Sequence, residues 1–254
     1  MANYTITFKE KKEVAQETFA FWFTRPADFT YEAGQYVALV LPKLKYPDKR
    51  GPVRSFSIAS APAEDDLMFA MRDTNSGFKD TFMELEPGET AQITKAIGHF
   101  TLANAADGHP IVFIVGGIGI TPVRSILKQA ESEGSGREFS LFYSNRKKAD
   151  AAFYEEIKNM KLAGLKVIPT CSQEEAPCTG PNEERGYIDE PMLLRHLKTE
   201  SLLENWYYLV GAPVFIEAMK SILGGLGVPK ERIVLDPFTG LTTATQAKME
   251  SASN

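Results

Sequence analysis

The sequence predicts two domains of different class: an N-terminal antiparallel β-barrel and a C-terminal α/β domain built on a parallel sheet. Up to about residue 103, short runs of alternating apolar and polar residues are separated by turn signals. Beyond it, strand and helix patterns alternate, which implies a parallel sheet covered by helices on both faces. Between the two regimes, "NAADGHP" (104–110) has the small, polar composition of a linker. The expected boundaries are 1–103 and 108–240, followed by a polar tail at 241–254. A chain of 254 residues, 43% hydrophobic and 24% charged, has the composition of a soluble globular protein and room for both units.

In the first half, Phe19, Phe21 and Phe23 alternate with Thr18, Ala20 and Trp22. "QYVALVL" (35–41), "RSFSIAS" (54–60), "DLMFAMR" (66–72) and "TAQITKA" (90–96) follow as further strands. Several short strands at this spacing suggest a barrel. In the second half, the apolar run Ile111 to Val115 reads as a buried parallel strand. Gly117-Ile118-Gly119 then begins a dinucleotide-type glycine turn, but Pro122 stands at the third glycine position. Proline suits the first position of a helix, and Thr121 before it suits the N-cap, so a helix is expected from Pro122. A glycine turn before a helix N-terminus is an anion site, or simply a tight turn without ligand.

Strands at 138–143, 165–169, 206–210 and 232–236 complete the sheet. The expected helices carry Phe153, Ile157 and Met160; residues near 190–198; and Phe215, Met219, Ile222 and Leu226. Ligands of such sheets sit at the carboxyl ends of the strands.

The net charge of −5 argues against a generally basic nucleic-acid-binding surface. No apolar stretch reaches transmembrane length, and the polar start "MANYTITFKEKKE" is no signal peptide. Cys171 and Cys178 make neither a disulfide framework nor a metal site and are expected as free thiols. A cytoplasmic protein without a metal centre fits these features.

Two stretches carry candidate chemistry. In "RSFS", Arg54 and Phe56 share one strand face and Ser55 and Ser57 the other. Arginine grips phosphate by paired charge-assisted bonds, and an aromatic ring packs on a flat heterocycle. In "SGFKDTF", Ser76-Gly77 precedes a short helix at about 78–85, a second anion site or a simple turn.

Taken together and in order, the motifs resemble the ferredoxin–NADP reductase family of flavoproteins, in the compact form without a fused iron–sulfur module. "GQYVAL" (34–39), "RSFS" (54–57), "SGFKDTF" (76–82), "GHFTL" (98–102), "GGIGITP" (116–122), "YSNR" (143–146), "GYI" (186–188) and "VGAPVFIEAM" (210–219) span nearly the whole chain. Pro122 belongs to this family's version of the helix start.

The resemblance implies FAD and NAD(P)H as cofactors. Arg54 and Ser55 would lie at the flavin, with Arg54 on a phosphate. Phe56 would pack on the isoalloxazine or ribityl chain, and Ser57 would bond near N5, where the nicotinamide hydride arrives. Backbone amides of Ser76, Gly77, Phe78, Lys79, Asp80 and Thr81 would cradle the FAD pyrophosphate. Gly116, Gly117, Gly119, Thr121 and Gly211 would approach the nicotinamide nucleotide. Ser57 and Asp236 are the catalytic candidates, Asp236 as a proton relay or merely a turn-former. Phe238 either covers the flavin or packs between domains.

Three departures from the family pattern stand out: Phe56 replaces tyrosine, Val210 replaces a frequent cysteine, and "LDPFTGL" (235–241) alters the terminal acid and aromatic. Ser144 and Arg146, with Lys147 and Lys148 behind them and no acid before Asp150, favour NADPH over NADH.

The implied activity is hydride transfer between NAD(P)H and flavin, then electron transfer to a ferredoxin or flavodoxin. The basic segment "KLKYPDKR" (43–50) is either a dock for that acidic carrier or a solvated loop. A reductase of free flavins or quinones, or of an oxygenase component, shares the same site. A non-catalytic flavin- or nucleotide-binding regulatory module is the third reading.

Overall fold

The computed structural model describes residues 4–74, 76–105, 108–173 and 182–238. Cys178 and the polar tail therefore lie outside the described residues. The first half forms β1 (Tyr4–Ala15), β2 (Thr18–Phe23), β3 (Tyr36–Val40), β4 (Val53–Ser57), β5 (Leu67–Arg72), α1 (Gly77–Met83) and β6 (Thr90–Ile93). The six strands make one antiparallel sheet in the order β4-β3-β6-β1-β2-β5.

The first strand is not expected from the sequence, whose first 13 residues read only as a polar start. Only Ile6 and Phe8 are buried in it, while Lys9 to Glu13 are exposed. So short an apolar signal is overridden by pairing with β2 and β6. The inner face of the sheet is filled by Phe21, Phe23, Leu39, Phe56, Phe69 and Phe82. The interior is aromatic because Phe recurs on alternate residues that point the same way.

The second half forms β7 (Ile111–Gly116), α2 (Ile120–Ser132), β8 (Phe139–Asn145), α3 (Tyr154–Lys158), β9 (Leu165–Cys171), the two-residue β10 (Glu184–Arg185), α4 (Glu190–His196), β11 (Trp206–Gly211), α5 (Pro213–Gly225) and β12 (Ile233–Pro237). These strands form a fully parallel sheet in the order β10-β9-β8-β7-β11-β12. The central strands are apolar at successive positions because both faces are covered. Phe113, Val115, Leu141 and Tyr208 face α2 and α3, while Val112, Ile114, Phe142 and Leu209 face α4 and α5. The strand order reverses at β7, whose neighbours are β8 and β11. That is where sheets of this class bind ligands.

Two expectations about helix starts are corrected. The α2 helix begins at Ile120 rather than Pro122, after a 3-10 turn at Gly117–Gly119. Thr121 is thus inside the first turn, and its hydroxyl donates to the Ile118 carbonyl (3.2 Å) instead of capping the helix. The turn already uses the glycine backbone, so the helix starts earlier than the side-chain pattern indicates. The third helix is short, and Phe153 precedes it with φ at 58°.

The outer side of β2 and β5 packs on α2: Ala20, Met68 and Ala70 share a core with Val123, Ile126 and Leu127. Buried Arg124 crosses this contact, bonding the Ala59 carbonyl (2.8 Å) and the carboxylates of Glu64 and Glu156. Ser125 Oγ donates to the Ser60 carbonyl at 2.6 Å, and Tyr208 Oη to the Thr101 carbonyl at 2.8 Å. No helix among the described residues is long and apolar enough to cross a membrane.

Candidate active site

The edge strands β4 and β5 approach each other without hydrogen-bonding, because they are the two ends of a curled sheet. A cleft of about 680 Å³ opens there and runs to the start of α2 and the end of β12. That size lies within the range of small-molecule and cofactor sites. Its walls hold ten residues singled out in the sequence: Arg54, Ser55, Phe56, Ser57, Ser76, Phe78, Lys79, Thr121, Asp236 and Phe238. Residues 182 positions apart in sequence thus share one cavity, since the two sheets meet along it.

At one end the cleft is strongly basic. Arg50, Arg54, Arg72 and Lys79 line it against two acids, Asp48 and Asp236. Burial holds the Lys79 ammonium below its usual range, and Arg54, Arg50 and Arg72 push in the same direction. Lys79 Nζ nevertheless finds the Arg72 carbonyl (2.6 Å) and Thr74 Oγ1 (2.7 Å). Arg54 is buried, with its guanidinium 4.9 Å from the centre of the Phe78 ring. Its Nη2 pairs with Asp48 at 2.7 Å, and its Nη1 donates to the carbonyls of Gly51 and Val53. This concentration of cations fits a pyrophosphate, whose charge such side chains offset.

At α1, the amides expected to cradle the pyrophosphate have partners within the chain. The Phe78 N–H donates to Asp48 Oδ2 (2.9 Å), the Lys79 N–H to Ser76 Oγ (3.2 Å) and the Asp80 N–H to the Ser76 carbonyl (2.9 Å). These donors are satisfied within the chain. Thr81 Oγ1 donates to the Gly77 carbonyl at 2.7 Å and accepts from the Lys45 N–H at 3.0 Å. Gly77 is required for a different reason: a Cβ there would stand 2.2 Å from the Pro47 carbonyl oxygen. The loop before β4 therefore packs onto α1 where a phosphate was expected, and Gly77, Asp80 and Thr81 do not line the cleft.

Phe56 packs mainly into the barrel core. Its ring is mostly buried and stacks at 5.5 Å on Phe82, with Phe69 at 6.0 Å. It closes the barrel core and reaches the cleft only as part of its wall. Ser57, the last residue of β4, is half-buried and paired with Tyr36.

At the other end lie Tyr36, Ile118, Thr121, Asp236 and Phe238. Asp236 pairs in register with Val210, at the carboxyl end of β12. Burial pushes its carboxyl up to about 6. Burial, followed by the Asp236 charge, raises the Tyr36 phenol. The Phe238 N–H donates to the Gly211 carbonyl (2.9 Å), which anchors the chain after β12. The glycines of this corner are close-packed rather than open: a Cβ on Gly119 would meet the Val210 carbonyl at 3.0 Å, and one on Gly116 or Gly211 the Phe215 ring. Gly117, with φ at 53°, is the one of the four with clear space around it.

Ser144 and Arg146 lie outside this cleft, at and just past the carboxyl end of β8, with Arg146 exposed. Gly116 pairs with Ser144 in register, so both stand at the same sheet edge. Lys43, Lys45 and Lys49 are all exposed, and Lys45 Nζ donates to the Glu84 carbonyl.

Sequence reasoning missed Tyr36, Asp48, Arg50, Arg72 and Thr74. Their signals were faint: Arg72 closes the strand "DLMFAMR", and Asp48 interrupts a run otherwise read as basic.

Residues 113–221 match the oxidoreductase NAD-binding domain. The chain is 29% identical over 224 residues to the reductase component of propane 2-monooxygenase from Mycolicibacterium goodii, covering 84% of this chain and 61% of that one. It thus spans about three fifths of the length of that curated relative. Among solved structures it is similar to a cytochrome P450 reductase of Amycolatopsis, with TM-score 0.76 and 26% identity over 93% of this chain and 70% of that one. It also shares the fold of a Neisseria gonorrhoeae ferredoxin NADP+ reductase solved with FAD and NADP, with TM-score 0.76 and 19% identity, covering 92% and 98% of the two chains.

Proposed function

We propose, for a chain whose fold and NAD-binding domain are those of the ferredoxin–NADP reductase-like flavoproteins, an FAD-dependent NAD(P)H reductase that passes electrons to a protein carrier. The observation that carries this is the shared cleft, with a basic end suited to a pyrophosphate and a half-buried Ser57 and Asp236 toward the second sheet. Residues 1–103 are taken as the flavin domain and 108–240 as the nucleotide domain.

Bound FAD would supply the redox chemistry, as an acceptor of hydride and a donor of electrons. The chain supplies orientation and a dry wall. Arg54, with Arg50, Arg72 and Lys79 around it, would hold phosphate. The Ser57 hydroxyl would donate a hydrogen bond to the ring nitrogen that receives the hydride and hold it in place. Asp236, whose carboxyl burial raises to about 6, would exchange a proton with the bound group. Phe238, anchored on Gly211, would cover one face of a flat ring.

Gly117 offers the open glycine backbone for a nicotinamide nucleotide at the point where the strand order reverses. Ser144 and Arg146 at the neighbouring strand end support NADPH over NADH, since both can bond a 2′-phosphate. The electron acceptor is read as an acidic ferredoxin or flavodoxin, which Lys43 and Lys49 would attract. The relatives named as reductase components of oxygenase systems favour, as a second reading, an oxygenase partner served through the same site.

An anaerobic visible spectrum of the purified chain, titrated in parallel with NADPH and NADH, tests the proposal. A yellow protein bleached at lower concentration by NADPH is expected. A colourless chain that added FAD does not turn yellow overturns it.

A further inference from the structure

The loop between β3 and β4 wraps around Arg54 and places a carboxylate directly on it. Asp48 Oδ1 is 2.7 Å from Arg54 Nη2, with side-chain exposures of 5% and 11%. The same carboxylate accepts from the N–H groups of Arg50 (2.8 Å) and Phe78 (2.9 Å). Arg54 Nη1 is taken up by the carbonyls of Arg50, Gly51 and Val53. Pro47 and Tyr46 seal the arrangement against Gly77.

The basic end of the cleft therefore already has a seated anion, supplied by the chain. We propose that Asp48 is an internal anion that competes with the cofactor's phosphate for Arg54, so that this one carboxylate sets how tightly the chain holds its flavin.

The inference rests on the flavin reading and adds to it a residue that tunes affinity. Two anions cannot share one guanidinium at bonding distance without mutual repulsion, and a buried setting screens that repulsion poorly. Arg54 Nη1 is committed to three carbonyls, so a phosphate oxygen that takes Nη2 displaces the Asp48 carboxylate from it. Because Asp48 also holds the Arg50 amide, its departure loosens the turn at residues 48–51. The carboxylate that weakens flavin binding is thus the one that orders this loop.

The test is a titration of the deflavinated full chain with FAD, followed by quenching of flavin fluorescence, for wild type and Asp48→Asn. The variant should bind roughly tenfold more tightly or better, and melt at a lower temperature before FAD is added. Equal or weaker binding by the variant overturns the proposal and makes Asp48 a positioning partner of Arg54. If Asp48→Asn does not fold, hydrogen exchange of the wild type decides. The Arg50 and Gly51 amides should exchange faster with FAD bound, and unchanged or slower exchange overturns the proposal. Failure of both proteins to bind FAD is a different result: it removes the flavin reading, and the Asp48 inference with it.

Discussion

Glu64 and Arg124 join the two sheets by a two-point ion pair, Nη1 to Oε2 at 2.8 Å and Nη2 to Oε1 at 3.0 Å. Glu156 takes Nε of the same guanidinium at 2.9 Å. The arginine is 6% exposed, but the carboxylates are 29% and 35% exposed, so water screens part of the pairing. Arg124→Met should therefore cost about 2–4 kcal/mol, below the full loss expected for a sealed pair. Chemical denaturation measures it.

That ion pair also has a pH signature. Burial raises the Glu64 carboxyl, but the Arg124 bonds outweigh it and leave the pKa below its ordinary 4.5. A depressed carboxyl adds stability above the unfolded value and loses it as pH falls through the folded one. Melting temperature should drop below about pH 4.5, and less so in Glu64→Gln.

Asp236 has the opposite sign. Burial raises its carboxyl from an ordinary 3.8 to about 6, so its contribution is full below 3.8 and is lost as pH rises through 6. Asp236→Asn should be more stable than wild type at pH 7, by on the order of 1–2 kcal/mol. If the carboxyl moves protons, the same variant should also lose the limb of the kcat profile near pH 6.

At the basic end, Arg54→Ala should lower the flavin content of the purified chain. Unchanged content would remove Arg54 from the phosphate role. Ser57→Ala should keep its flavin but be reduced by NADPH at least tenfold more slowly in stopped flow.

Gly77→Ala tests the loop packing, because its Cβ would lie 2.2 Å from the Pro47 carbonyl oxygen. Backbone must move, so the expected loss is about 1–3 kcal/mol, with faster proteolysis at residues 43–50. Gly117→Ala meets no atom within 4 Å, although its φ of 53° still strains an alanine. A milder loss there would separate steric from conformational cost.

Both sheets were legible in the sequence because their signals are local. Alternating phenylalanines marked β2, and unbroken apolar runs marked β7 and β11. The motifs "RSFS" and "GGIGITP" likewise pointed to the cleft that Arg54, Ser57 and Thr121 share. What the chain did not disclose was long-range. Residues 4–15 form a strand through pairing with β2 and β6 and the burial of only Ile6 and Phe8, and helix α2 starts at Ile120 because a glycine turn precedes it.

The assignment of donors was also beyond the sequence. The amides of Phe78 and Lys79 look free in a motif, yet Asp48, 30 residues away from Phe78, and Ser76 claim them. Local pattern determines which residues can form a strand, a turn or a charge. Which group each charge finally meets depends on where distant loops come to rest, and only the packed tertiary structure decides that.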